Sequence, residues 1–362
     1  MKRKVGALLL AVSACTGAQA QPPAAGASMP GCSWARLKAD AGWDIGGWGY
    51  ADIEKQHVIG EDTVFNIASV SKQFTALAVT LLARDGKLDL DAPLARYLPR
   101  LPGELGRPTL RQALRHTGGL PDYMDPLVDA GRMDETVTVS ETFDVLAGHS
   151  QLLFEPGSRF EYSNTGYFLL AQVVEAASGT SLASFSRQYI FEPLDMLDTV
   201  IVDHYPSGIA QLARGYEDKN GKVSISESSW EQTGDGQVHT SAGDMLRWLR
   251  HLDGDTALRT PSGKPAQGIL STLTDGQDPH LEEDGGGYYF GLEAMKMGDI
   301  KAWAHGGGWA GFRSFLAYAP ESRQGAAIMC NTTGLNLRAM AAKMLSSPSI
   351  TPRAIPYGEG RG

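Results

Sequence analysis

The hydrophobic and polar positions change period twice along the chain. Residues 32–37 and 43–50 alternate like strands around the polar turn 38–42, which predicts a hairpin. After Ser69 the period becomes helical: Phe74, Leu77, Ala78, Leu81 and Leu82 share one face. Asp85-Gly86 closes that helix, with Gly86 suited to the left-handed position past its end. Residues 87–200 hold further helical stretches divided by Pro and Gly. The clearest is 166–177, with Phe168, Leu169, Val173 and Val174 on its apolar face. From about residue 210 short alternating runs return, with strands expected at 299–304, 312–318 and 325–330 and a closing helix at 337–345. Strands at both ends with helices between them predict an α/β fold built from both termini, with an all-helical region inserted. The expected division is a sheet domain from 29–66 and 205–345 and a helical domain from 67–204. There is no internal repeat, and the Pro- and Gly-rich residues 349–362 read as a flexible tail.

The first 20 residues do not fit this pattern. Met1-Lys2-Arg3-Lys4 is basic, residues 5–14 are apolar, and Ala18-Gln19-Ala20 has the small residues of a cleavage site, so 1–20 reads as a secretory signal. Val12-Ser13-Ala14-Cys15 offers a competing reading, a lipoprotein anchored through Cys15. Residues 21–28 read as a short linker. The expected location is periplasmic or secreted.

Composition narrows the functions available. The chain has 362 residues, 42% of them hydrophobic and 20% charged, as in ordinary globular proteins. Without residues 1–20 it keeps 29 basic against 41 acidic side chains, a net charge of −12. That balance, with no basic cluster, argues against nucleic acid and anionic membranes as partners. No later run reaches the roughly 18 apolar residues of a membrane span. The three cysteines, Cys15, Cys32 and Cys330, form no Cys-x-x-Cys pair, and the eight histidines show no His-Glu-x-x-His spacing, so no metal or other cofactor is expected. Cys32 opens the first expected strand and Cys330 ends the last, which makes a disulfide between them plausible in an oxidising compartment.

Three short motifs carry candidate chemistry. In Ser69-Val70-Ser71-Lys72, one helical turn brings hydroxyl and amine to the same face. A serine becomes a strong nucleophile when a neighbouring base takes its proton, and a lysine held against it in a partly buried pocket can do so. Isolated, the motif also fits an N-capping serine and a surface lysine, but the apolar run around it disfavours a surface lysine. In Tyr162-Ser163-Asn164, the phenol can shuttle a proton and the amide can donate to a carbonyl; a loop tyrosine before a turn-forming asparagine is the bland reading. In His305-Gly306-Gly307-Gly308-Trp309-Ala310-Gly311, glycines beside a strand admit a substrate backbone, and a free N–H there can hold an oxyanion; a Gly-rich hairpin is the alternative. Gly306, Gly308 and Gly311 also match a dinucleotide-binding pattern, but residues 312–318 alternate like a strand where that pattern needs a helix. No Gly-x-Ser-x-Gly elbow occurs.

The order and spacing of these motifs resemble the serine β-lactamase-like superfamily, in particular the group of class C β-lactamases, D-Ala-D-Ala carboxypeptidases, D-aminopeptidases and family VIII esterases. Gly49-Tyr50-Ala51-Asp52, the stretch from Leu114 to Pro121, and Tyr289-Phe290-Gly291-Leu292 resemble it as well, so the likeness covers about 29–345. It implies an antiparallel sheet flanked by helices and a serine hydrolase working through a covalent acyl-enzyme. Ser69 would be the nucleophile, Lys72 its proton partner and Tyr162 the general base and then acid. Asn164, His305, Gly307 and Gly308 would bind substrate, the N–H groups of Ser69 and Gly308 forming the oxyanion hole. His116 would be structural, capping a turn, and Tyr123, Trp309 and Phe312 are candidates for the pocket wall. Two departures stand out. The helix expected before the first strand is nearly absent, so the helix at 337–345 should cover that side of the sheet. The third motif has His-Gly-Gly where Lys-Thr-Gly is usual, which removes a fixed positive charge from beside a substrate carboxylate. The expected partner is therefore a small molecule or peptide with an ester or amide bond, the esterase reading being favoured over peptidase and β-lactamase. A slowly deacylating penicillin-binding sensor is the rival from another class.

Overall fold

The computed structural model describes residues 29–203, 208–219, 221–252, 254, 258–275 and 287–346. The signal, the Cys15 alternative, the linker and the tail lie outside the described residues. The central sheet has six antiparallel strands: β1 (Cys32–Leu37), β2 (Trp43–Trp48), β3 (Glu293–Met297), β4 (Ile300–Trp309), β5 (Phe312–Ala319) and β6 (Gln324–Cys330). Their spatial order is β3-β4-β5-β6-β1-β2, so the two ends of the chain meet at the β6–β1 pair. There Cys32 lies opposite Cys330 and the two are joined by a disulfide.

Alternation along the strands sends side chains to two cores. The larger core lies between the sheet and the helical region. At its centre is α1 (Lys72–Arg84), buried on almost every side, with α2 (Asn164–Ser178) and α3 (Ala242–Leu252) packed around it. Phe74 of α1 meets Trp248 of α3 at 4.4 Å between ring centroids, and Trp248 Nε1 donates to Gln73 Oε1 at 3.0 Å. The second core joins Trp34, Phe315 and Ile328 of the opposite sheet face to Met340 and Met344 of α4 (Leu337–Ser346). That helix covers this sheet face, as the sequence led us to expect.

Two sequence expectations need correction. The strand expected at 299–304 extends to Trp309, through all three glycines, because each finds a ladder partner in β5: Phe315, Ser314 and Arg313. The reversal comes at Ala310-Gly311, with Ala310 at φ 44°. Within 67–204 the chain is not all helical: Val200–Ile201 forms a strand against Val238–Thr240, as its β-branched residues favour. Val238–Thr240 also pairs with Phe65–Asn66, giving a small three-stranded sheet. Among the described residues no single helix is long and apolar enough to cross a membrane.

Candidate active site

Ser69 sits in a single 3-10 turn, Ala68–Ser71, wedged between Phe65–Asn66 and α1. Several contacts fix it. Ile67 N donates to the Val238 carbonyl at 2.9 Å, Val238 N donates to Ser71 Oγ at 3.0 Å, and Ser314 Oγ of β5 donates to the Ile67 carbonyl at 2.6 Å. Ala68 N donates to Asn66 Oδ1 at 2.8 Å, and Ala68 adopts φ 47°. A left-handed alanine costs of order 1–3 kcal/mol and persists only where its surroundings impose it. The strain lies one residue before the candidate nucleophile.

Lys72 is fully buried. Its Nζ lies 3.2 Å from Ser69 Oγ, 2.9 Å from Asn164 Oδ1 and 2.7 Å from the Asp235 carbonyl oxygen. It also stands 5.0 Å from the centre of the Tyr162 ring and 5.5 Å from that of Tyr167. The two carbonyl oxygens can only accept, so they take two N–H bonds from the amine. The third position on nitrogen faces the serine hydroxyl. In the neutral amine that position is the lone pair, placed to receive the Ser69 proton.

Asn164 opens α2, and its orientation is set by Asp122. Asp122 Oδ2 accepts from Asn164 N at 2.8 Å and from Asn164 Nδ2 at 2.9 Å, which leaves Oδ1 turned to Lys72. Next in the chain, Tyr123 donates from its hydroxyl to Asp235 Oδ2 at 2.8 Å. Burial pushes the Asp235 carboxyl up to about 6, opposed by Lys72 and the Tyr123 hydrogen bond. Its other oxygen, Oδ1, is buried without a hydrogen-bond partner.

Tyr162 is 36% exposed, the most open of the candidate side chains. Its ring stacks on His116 at 4.2 Å and lies 6.2 Å from His305. His116 accepts from Ser163 N through Nδ1 at 3.2 Å, which ties it directly to the Tyr162-Ser163-Asn164 segment. Both ring nitrogens of His305 are engaged. Nδ1 donates to the Gly306 carbonyl at 2.6 Å, so Nε2 accepts from the Tyr288 hydroxyl at 3.0 Å. Burial and the positive charge of Lys72 lower His305 to about 3, so it is neutral near pH 7.

Gly307 packs against the nucleophile turn. A Cβ there would lie 2.3 Å from Ser314 Oγ and 2.4 Å from the Ile67 carbonyl oxygen. Gly308 lines the cavity above Ser69 together with Tyr123, Asn164, Trp230, Asp235 and Trp309. Phe312 instead lines a neighbouring cavity that shares Trp230, Gln237 and Trp309 with the first.

The structure therefore brings Ser69, Asn164 and Gly308 into the wall of one cavity. Lys72 touches Ser69 and Asn164, Tyr162 lies beside Lys72 and His305, and Gly307, expected to bind substrate, instead packs against the nucleophile turn. Sequence reasoning missed Asp122, Asp235, Tyr288 and Trp230. Asp235, between Gly234 and Gly236, looks in sequence like any turn aspartate. Asp122 directly follows the stretch 114–121 and Tyr288 directly precedes 289–292, and those adjacencies were the available signals. Among the described residues no group of His, Cys, Asp or Glu side chains is placed to hold a metal.

A family model described as Beta-lactamase matches residues 19–346. The chain belongs to the beta-lactamase family. It is 30% identical over 286 residues to penicillin-binding protein 4* of Bacillus subtilis, covering 74% of this chain and 61% of that one. It is 27% identical to a D-aminopeptidase of Gluconobacter oxydans, covering 86% of this chain and 56% of that one. The chain thus spans less than two thirds of the length of these relatives. Among solved structures it resembles the octameric penicillin-binding protein homologue from Pyrococcus abyssi, with a TM-score of 0.74 and 27% identity over 87% of this chain and 72% of that one. It also resembles the D-amino acid amidase from Ochrobactrum anthropi SV3, with a TM-score of 0.66 and 26% identity over 87% of this chain and 89% of that one. The chain has the fold of antiparallel sheet and helical insert found in these structures.

Proposed function

We propose that this chain is an exported serine hydrolase that cleaves an ester or amide through an acyl-enzyme on Ser69. The observation that carries the reading is the Lys72 amine, held by two obligate acceptors with its third position on Ser69 Oγ. Lys72 takes the hydroxyl proton as Oγ attacks the carbonyl carbon. The N–H groups of Ser69 and Gly308 hold the resulting oxyanion. The carbon–leaving group bond then breaks, and Tyr162, on the open side of the cluster, gives its phenolic proton to the departing oxygen or nitrogen and takes the former Ser69 proton over from Lys72. Water, deprotonated along the reverse route, frees the acid and restores Ser69.

Substrate charge supports neutral esters and amides over β-lactams. Among the described residues no Lys or Arg lines the cavity above Ser69: Lys72 is committed to three partners beneath it, Arg313 beside Gly308 is bonded to the carbonyls of Ala310 and Phe312, and His305 is neutral and buried. A carboxylate beside the scissile bond finds no fixed countercharge there. The likeness to a D-aminopeptidase and a D-amino acid amidase favours a second reading, hydrolysis of amides of D-amino acids. The basic residues 2–4 before an apolar run, together with the Cys32–Cys330 bridge, support export to the periplasm or beyond.

The test is steady-state hydrolysis of p-nitrophenyl butyrate beside nitrocefin, with Ser69→Ala as blank. Fast ester turnover with little nitrocefin turnover supports the reading. Dominant nitrocefin turnover refutes the substrate argument. A burst followed by no steady rate points to the slowly deacylating sensor.

A further inference from the structure

We propose that the cavity behind the Trp230–Trp309 pair is an extension of the acyl pocket, closed off by Trp309, and that Trp309 thereby sets the longest acyl chain the enzyme accepts. This rests on the serine-hydrolase reading above and adds a substrate class to it, compounds with a short acyl chain.

The site has two directions. The leaving group departs beside Tyr162, which gives it a proton, and Tyr162 is not part of the wall of the cavity above Ser69. With the carbonyl oxygen between the N–H groups of Ser69 and Gly308, the acyl portion is left to fill that cavity, towards Tyr123, Trp230 and Trp309. A second cavity lies directly behind it. Trp230, Gln237 and Trp309 line both, so these three residues form the partition. The two indoles meet edge to face with centroids 5.0 Å apart, which is ring contact and leaves no passage between them.

The members of the partition are held unequally. Trp230 Nε1 donates to the Arg132 carbonyl at 3.2 Å, and Gln237 Nε2 donates to the Trp230 carbonyl at 2.9 Å. Gln237 Oε1 accepts from Asn66 Nδ2 at 3.0 Å, and Asn66 in turn holds the nucleophile turn through Ala68 N. Trp309 ends β4, is half-buried, and its indole makes no hydrogen bond among the described residues. It is the member that can be shortened without unpinning Ser69. The second cavity suits an alkyl chain. Val202, Leu212, Ala213 and Phe312 give it apolar walls. Its amide and ionisable side chains are already paired: Asn66 with Gln237, Glu227 with Arg214 at 3.0 Å, and His239 Nδ1 with the Gln237 carbonyl at 3.2 Å. An ionic group would lose its hydration there and gain no unpaired partner from these side chains, whereas methylenes gain by leaving water.

The first cavity holds about 70 Å³ and the second about 60 Å³. At about 10–15 Å³ for each water-sized group, each has room for about four to six carbons. A butyryl group fits the first alone, and an octanoyl group needs both. The experiment measures kcat/KM for p-nitrophenyl octanoate divided by that for p-nitrophenyl butyrate, in the wild type, Trp309→Ala, Trp309→Ala with Val202→Phe, and Ser69→Ala. A buried methylene is worth roughly fourfold, so burying even two of the four added carbons gives more than about tenfold. The wild-type ratio should lie below about one tenth, and Trp309→Ala should raise it at least about tenfold, on the same scale. A higher wild-type ratio or a smaller rise overturns the proposal, and the wild-type arm stands even if Trp309→Ala fails to fold. Val202 lines the second cavity and not the first, so Val202→Phe refills that space and should return the ratio towards wild type. A ratio that stays high in the double variant overturns the proposal, because the chain would then run out to solvent. These outcomes leave the hydrolase reading intact when Ser69→Ala abolishes turnover. Turnover that Ser69→Ala does not reduce overturns that reading and this inference with it.

Discussion

Gly307→Ala should damage catalysis more than folding. The added Cβ would stand 2.3 Å from Ser314 Oγ, 2.4 Å from the Ile67 carbonyl oxygen and 3.2 Å from Ala68 Cβ. The serine can rotate, at the loss of its bond to the Ile67 carbonyl, but that carbonyl is main chain of the nucleophile turn and cannot swing away. Restoring van der Waals separation requires β4 or the turn to move by about 1 Å. Two effects oppose each other in stability. Replacing glycine in a compatible strand position gains about 0.4–1 kcal/mol through the unfolded chain, and overpacking costs about 1–3 kcal/mol. Overpacking wins, because the clash is with backbone. A misplacement of about 1 Å at the reacting centre costs on the order of a hundredfold in rate. Gly308→Ala is the comparison: the nearest atoms to its Cβ belong to the flexible Arg313 side chain, at 3.4 Å, and the N–H assigned to the oxyanion is kept. Its loss should be at least tenfold smaller. The assay is kcat/KM for p-nitrophenyl butyrate, with urea midpoints recorded beside it. A Gly307→Ala enzyme within twofold of wild type would refute the claim that β4 sets the position of Ser69.

Other expectations follow from the same contacts. Tyr162→Phe should lower kcat by about 10²–10⁴-fold, the range for a lost general acid–base group, with a thermal midpoint near wild type because Tyr162 is 36% exposed; unchanged kcat would remove Tyr162 from the mechanism. His305 is lowered to about 3 when folded, against about 6.5 unfolded. Its contribution to stability is therefore complete above pH 6.5 and is lost as pH falls from there towards 3, by about 2 kcal/mol between pH 6.5 and 5. His305→Gln should flatten that part of the urea-midpoint profile, and parallel wild-type and variant slopes would contradict the buried neutral state. Asn331→Ala should destabilise the fold by about 3–5 kcal/mol, since its side chain accepts from Gly31 N and donates to the carbonyls of Tyr50, Ala51 and Arg214. An unfolding free energy within 1 kcal/mol of wild type would show that water replaces those bonds.

Much of the architecture was legible because it is written in period. The hairpin of β1 and β2, α1 with its end at Gly86, α2, and the last two strands with α4 all follow from apolar spacing and turn residues. The missed strand Val200–Ile201 is two residues long, too short for any period. The extension of β4 through glycine was hidden, since glycine carries no face and its pairing depends on β5. The site divides in the same way. Ser69, Lys72, Tyr162 and Asn164 stand in short motifs whose spacing shows in one dimension. Asp122, Asp235 and Tyr288 act on those residues from distant parts of the chain. Their roles arise only when Tyr123 reaches Asp235 and Tyr288 reaches His305, across 112 and 17 residues of sequence.

The central claim is a covalent acyl group on Ser69. Acid quenching during steady p-nitrophenyl butyrate turnover, followed by peptide mass mapping, tests it directly. The account predicts one butyryl adduct on the peptide carrying Ser69, and neither adduct nor turnover with Ser69→Ala. A butyryl group on another residue, or turnover that persists in Ser69→Ala, would contradict it.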